Sequence, residues 1–272
     1  MVLIYSKYYY MNQQIILVGD KNVWRSYLTN TKYSYDKYKD IDDFLMVCKQ
    51  NHIKYLFPIT IHNELFIIKY SSIIKDHGYK FLIPSKKIIE TLNDKSKFVK
   101  FMIKNNLDKY VPKTYKTIKY PCILKKKKSI CGKEGYVINS HSDIPNNINL
   151  EDYLIQEPIT GNCEYSTDIL AKDGKIILIS PNKYCYDTDL YIMGHKLMSP
   201  AIKDNITNPV SNAFAEIIKA LNYNGFCNID YKIVDTGYPK IFEINPRCGG
   251  SLRDIPIKKF NEIVNKYINI CE

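Results

Sequence analysis

Glu243 and Asn245 stand two residues apart in a run that ends in a proline, an arginine and two glycines: Ile241-Phe242-Glu243-Ile244-Asn245-Pro246-Arg247-Cys248-Gly249-Gly250-Ser251. In an extended chain side chains alternate, so Phe242 and Ile244 share one face and Glu243 and Asn245 the other. Pro246 cannot donate to a sheet ladder and should end the strand. The glycines after Arg247 allow a tight turn or a close backbone approach to a ligand. Hard oxygens beside a guanidinium suit a divalent cation next to phosphate. The cation takes the oxygens, and the arginine forks onto phosphate or carboxylate. Taken alone, the stretch also reads as a strand end with an ordinary surface Glu–Arg pair.

A second strand lies just upstream, Phe226-Cys227-Asn228-Ile229-Asp230-Tyr231-Lys232-Ile233-Val234, followed by the turn Asp235-Thr236-Gly237. If 235–238 form the loop, Val234 faces Pro239 and Asp230 faces Glu243. Directly opposed Cβ atoms lie roughly 5 Å apart, close enough for two carboxylates to share a metal ion. A register slip of one residue would turn Asp230 to the wrong face. Two unpaired acids on one face repel, and a divalent cation removes that cost.

These residues resemble the ATP-grasp superfamily. Asp230, Glu243 and Asn245 match its magnesium ligands, and Glu-Ile-Asn-Pro-Arg is similar to the ending found in the carbamoyl-phosphate-synthase-like branch of carboxylate–amine ligases. The resemblance implies ATP and Mg2+ as cofactors, with Mn2+ as a substitute, and it covers about residues 94–251.

Other segments extend it. Asp94-Lys95 opens a helix with Phe98, Phe101 and Met102 on one face, and the resemblance sends Lys95 to the nucleotide phosphates, although a solvated helix lysine is an equal reading. The strand Tyr120–Lys125 ends in a lysine before a glycine-bearing loop, 126–135. A fixed point charge plus mobile backbone N–H groups suits phosphate, and the family's contacts fall on Lys125 and Gly132. Lys125 to Lys128 form an unbroken run, and Ile130-Cys131 stand where the family has glycine or small residues. Farther on, Gln156-Glu157-Pro158-Ile159 resembles the strand-to-loop hinge that holds adenine. Glu164, seven residues after Glu157, matches the acid that accepts the ribose hydroxyls. Two surface acids flanking a turn are the plainer alternative. Met193-Gly194-His195 loosely resembles a segment approaching the nucleotide, which places His195 among the candidate cofactor contacts, although a lone histidine is more often structural.

The elements that must position these residues form an α/β chain of α+β lobes. Residues 1–93 read as a small Rossmann-like lobe, with strands at Ile15–Gly19, Tyr55–Ile59 and Lys80–Pro84 and a helix around Phe44–Cys48. No Gly-x-Gly-x-x-Gly follows the first strand, so no dinucleotide site is expected there. Residues 94–272 form the ATP-grasp domain, with a central lid part at about 113–180 and a metal-binding part at 181–272. Pro209 starts a helix whose stripe is Ala213, Phe214, Ile217, Ile218 and Leu221, and Gly225 should stop it. Residues 258–270 read as a final amphipathic helix.

The 272 residues suffice for two or three packed lobes, and no apolar run approaches the ~18 residues of a membrane span. The first ten residues make a poor signal peptide, and Met11 is an alternative start. A net charge of +11 fits either a polyanionic nucleotide or nucleic acid. No nucleic-acid motif accompanies it, and a bias toward Lys, Asn, Ile and Tyr codons explains it more simply. The eight cysteines lack C-x-x-C spacing and read as reduced thiols of a cytoplasmic protein. The resemblance implies an enzyme that activates a carboxylate as an acyl phosphate and transfers it to an amine or similar nucleophile. Lys125 and Arg247 are the catalytic candidates and small-molecule acids and amines the partners. Monomer or homodimer is left open. The rival readings are a non-catalytic ATP-binding regulatory protein and a basic nucleic-acid-binding protein.

Overall fold

The computed structural model describes residues 15–18, 40–129, 134–192, 202–203, 205–250, 252 and 255–272. Strands β1 (Ile15–Val18) and β2 (Tyr55–Pro58) pair in parallel. Helices α1 (Ile41–Gln50), α2 (Ile61–Lys69) and α3 (Ser71–Asp76) help form a local core of Phe44, Cys48, Leu56, Ile67 and Ile74. The strand expected at Lys80–Pro84 shrinks to a single bridge between Lys80 and Tyr55. Beyond that bridge the partner at Leu82 is a side chain: the Tyr267 hydroxyl accepts from the Leu82 N–H at 2.9 Å.

Helices α4 (Lys86–Leu92) and α5 (Lys95–Lys104) follow. Asp94 caps α5, accepting from the Ser96 and Lys97 N–H groups at 2.9 and 3.2 Å. A four-stranded antiparallel sheet has the order β3 (Thr114–Tyr115), β6 (Tyr153–Gln156), β4 (Cys122–Lys126), β5 (Gly135–Ile138). A five-stranded antiparallel sheet has the order β11 (Pro239–Asn245), β10 (Gly225–Ile233), β7 (Cys163–Lys172), β8 (Lys175–Cys185), β9 (Ile202–Lys203). Helix α6 (Asn208–Leu221) precedes β10, and α7 (Ile257–Cys271) ends the chain. Helix α6 stops at Asn222, which adopts the left-handed conformation at φ 45°, not at Gly225. Gly225 (φ +97°) opens β10 where a Cβ would come within 2.8 Å of the Leu82 carbonyl oxygen.

The five-stranded sheet positions the site because its two faces differ. On one face Ile169, Ile229, Tyr231, Ile241 and Ile244 pack under α5 and α6 with Phe98, Met102, Phe214 and Ile217. The other face is divided. Leu170 and Phe226 join a core with Phe57 of β2 and with Phe260, Ile263 and Tyr267 of α7. Farther along the same strands, Glu164, Ser166 and Asp168 on β7 and Asn228, Asp230 and Lys232 on β10 are buried polar groups. Among the described residues no helix is long and apolar enough to cross a membrane. Among the described residues seven cysteines are thiols outside any disulfide.

Candidate active site

The β10–β11 hairpin places Asp230 opposite Glu243 and Asn228 opposite Asn245. It reaches that register by a different route from the one the sequence suggests. At the turn Ile233, not Val234, faces Pro239, so the hairpin starts one residue out of step. A β-bulge between Asp230 and Tyr231 then puts Phe242 in as an extra residue on β11 and restores the pairing. The bulge also moves Phe242 off the core face: its ring lies 4.1 Å from the Lys125 ammonium, while Ile241 and Ile244 fill the core.

Charge converges on this hairpin from three elements. Lys95, in the first turn of α5, ion-pairs with Glu243 at 2.8 Å and donates to the Ser129 carbonyl at 3.3 Å. Lys125 of β4 reaches over Phe242. Burial lowers its pKa, and Glu164 and Glu243 pull it back up. Arg247 donates to the Cys248 carbonyl at 2.9 Å and to Asn245 Oδ1 at 3.5 Å. The Asn245 amide nitrogen donates to both Asp230 and Glu243 at 3.3 Å. Burial first, and then Glu243, raise the Asp230 pKa well above its ordinary value. Burial also works against ionising Glu243, but Lys95 and Lys125 outweigh it and its pKa is lowered. The surroundings therefore favour the neutral form of Asp230 and the charged form of Glu243. Among the described residues no three His, Cys, Asp or Glu side chains cluster as a metal site. The donor set is two carboxylates and an amide. These hard oxygens fit a magnesium-like cation once the Asn245 amide turns its oxygen inward.

The strand-to-loop passage read from the sequence is present. Strand β6 ends at Gln156, and residues 157–162 lead into β7. Gln156 is buried, and Ile159 is half-buried. The Glu157 carboxylate accepts from the Lys113 N–H at 2.8 Å and lies 3.9 Å from the Lys240 ammonium, so it braces the hinge against β3 and the β10–β11 turn. Glu164, 5% exposed, faces Lys125 and Lys232. Gly132 and His195 lie outside the described residues. The lysine run is not a single patch. Lys126 pairs with Glu134, and Lys127 donates to the Glu151 carbonyl. The Lys127 backbone also ties the start of α5 to Asp152, just before β6, which anchors it.

The structure adds residues that the sequence reading passed over. Asp168 accepts from the Gly249 N–H at 2.7 Å, and a Cβ on Gly249 would meet Asp168 at 2.9 Å as well as Asn228. That crowding is why a glycine follows Cys248. Glu64 of α2, 1% exposed, sits near Arg247, and its Oε2 has no hydrogen-bond partner among the described residues. Burial raises its pKa well above the ordinary value, and Arg247 offsets only part of that. Lys232, 2% exposed, is buried beside Glu164. The signal for most of these was present as alternation: Glu164-Tyr165-Ser166-Thr167-Asp168 and Asn228-Ile229-Asp230-Tyr231-Lys232 each place polar groups at every second position.

Burial, opposed by Lys125 and Lys232, raises the Glu164 pKa from 4.5 to about 7. As pH rises through that window the unfolded chain releases its proton first, so stability falls and the loss is complete above pH 7. Glu164→Gln should therefore stabilise the protein at pH 8, by on the order of 3 kcal/mol, and leave it nearly unchanged at pH 4. Thermal unfolding at the two pH values checks this; an equal gain at both would remove titration as the cause.

Comparison with known proteins follows this geometry. Residues 92–251 match the profile of the ATP-grasp domain. D-alanine–D-alanine ligase from Bacillus anthracis, in complex with ATP, superposes with a TM-score of 0.62 at 14% identity, over 94% of this chain and 95% of that one. N5-carboxyaminoimidazole ribonucleotide synthetase from Thermotoga maritima gives 0.55 at 16% identity, over 87% of this chain and 62% of that one. Biotin carboxylase from Campylobacter jejuni gives 0.57 at 14% identity, over 93% and 65%. At these identities the likeness is one of fold, and this chain spans less than two thirds of the latter two proteins. No curated protein matches the chain. With the match covering 92–251 of its 272 residues, the chain belongs to the ATP-grasp family.

Proposed function

We propose that the protein is an ATP-dependent ligase that joins a carboxylate to an amine, releasing ADP and phosphate. The observation that carries this reading is the hairpin pair Asp230–Glu243 with Asn245, met by Lys95, Lys125 and Arg247 from separate elements. Asp230, Glu243 and Asn245 would hold Mg2+, or Mn2+ in its place. Bound there, the cation neutralises phosphate charge that the protein's own cations only partly offset. Lys95 and Lys125 would meet phosphate oxygens; Gly132, outside the described residues, is assigned there by resemblance alone. Gln156, Glu157 and Ile159 would form the adenine hinge and Glu164 would take the ribose hydroxyls; His195, outside the described residues, is a further candidate by resemblance alone. Residues 1–93 serve as the acceptor-side lobe and 94–272 as the nucleotide-binding domain.

In the reaction a substrate carboxylate oxygen attacks the γ-phosphorus, a new O–P bond forms, and the bond to ADP breaks. Arg247 orients the acyl phosphate. The amine nitrogen then attacks the acyl carbon, a C–N bond forms, the C–O bond to phosphate breaks, and the amine loses a proton. The chain contributes position and preset charge. A screen of acid–amine pairs for phosphate release, followed by carboxylate 18O labelling, tests this. One labelled oxygen should appear in phosphate for each ADP formed. Release of AMP and pyrophosphate, or unlabelled phosphate, would overturn it.

A further inference from the structure

We propose that Lys232 is a positioning residue that clamps the nucleotide hinge, 157–162, to the strap that follows β8, 186–191; its link to the nucleotide rests on the function proposed above, its clamping role does not. The Lys232 ammonium donates to the Ile159 carbonyl at 3.1 Å, the Gly161 carbonyl at 2.6 Å and the Asp189 carbonyl at 3.1 Å. An ammonium has three donors, and all three are used here. The Tyr191 ring lies 4.1 Å from the same nitrogen. With no donor to spare, Lys232 contacts backbone rather than ligand.

The two segments it joins leave the same end of the β7–β8 pair, where Cys163 faces Cys185, and both reach Lys232. The hinge has no regular secondary structure, and Gly161 sits at φ +116°. The strap touches it through the Tyr186 N–H, which donates to the Asn162 carbonyl at 2.8 Å. Tyr186 stacks on Tyr191 at 3.6 Å, which carries the strap back onto Lys232. Strand β10 supplies the rigid base: the side chain two residues along from Asp230, on the same face, ends at the loops. One buried lysine thus sets the hinge carbonyls, the strap and the charge beside Glu164 together. Without it, three carbonyls lose a charged donor, and the Ile159–Gly161 part of the hinge, beyond the Glu157 contacts, loses its tie to β10.

Amide hydrogen exchange on the nucleotide-free protein tests the clamp directly. In Lys232→Met, peptides covering 157–162 and 186–191 should exchange about tenfold faster, while α6 and the centre of β7 keep their wild-type rates. The Mg-ADP dissociation constant, measured by calorimetry, should rise about tenfold with the sheet intact. Unchanged exchange in both segments would overturn the clamp, and so would faster exchange spread through α6 and β7, which marks general loss of packing. If Lys232→Met does not fold, Lys232→Arg decides. A planar guanidinium cannot aim three donors at one point, so both segments should still loosen, and wild-type rates would overturn the proposal. Failure of the wild-type protein to bind Mg-ADP would count against the proposed function alone, because the exchange measurement needs no nucleotide.

Discussion

Glu243→Gln should lower ATP turnover by about 10³-fold while leaving the protein folded. The side chain keeps its shape and one oxygen but loses the charge that faces Asp230 and holds Lys95 at 2.8 Å. Two functions fail together. The cation site drops to a single carboxylate, and Lys95 is freed from the geometry in which it meets phosphate. Burial of the free Lys95 beside Lys125 adds repulsion where negative phosphate charge must later develop. Turnover measured against magnesium concentration, with circular dichroism as the folding control, checks the result. Near-wild-type turnover in a folded variant would remove the hairpin from the metal assignment.

Lys125→Ala should cost about 10²-fold in turnover, against less than about threefold for alanine at Lys126, Lys127 or Lys128. Lys125 reaches the site, over Phe242 and within the fields of Glu164 and Glu243, while Lys128 acts on the helix cap Asp94. Lys126 is satisfied by Glu134 and Lys127 by the Glu151 carbonyl, both away from the hairpin. Added salt screens exposed charges far more than those in a closed cleft, so raising ionic strength should weaken the outer contacts and spare Lys125. ATP turnover of the four single variants at two salt concentrations separates a site lysine from a general basic patch. Equal losses with a common salt dependence would favour the patch.

How far the site can be read without a structure depends on whether a residue's position follows from its neighbours in the chain. The facing of Asp230 and Glu243 does, in outline: two alternating strands around Asp-Thr-Gly form a hairpin, and alternation assigns each side chain to a face. The bulge that delivers the register does not. Turn geometry sets Ile233 against Pro239, and the extra residue at Phe242 is accommodated because its ring has Lys125 of another sheet to lie against. The α5 cap, the hinge and the final helix are local in the same sense and occur where capping and periodicity put them. The Lys80–Pro84 segment stops after one bridge for the opposite reason: at Leu82 the hydrogen-bond partner is the hydroxyl of Tyr267, far along the chain.

Sequence by itself therefore determined the chemistry present: which acids, amides and cations there are, and which share a strand face. Only the tertiary structure decided which of them meet. It brings Lys95 onto Glu243 across 148 positions (243 − 95), Lys232 onto carbonyls of two separate loops, and Glu64 of α2 beneath Arg247. Alternation and capping are set by bonds between near neighbours and show in the order of residues. Such meetings depend instead on how sheets and helices pack, and burial then fixes the protonation of the groups that meet.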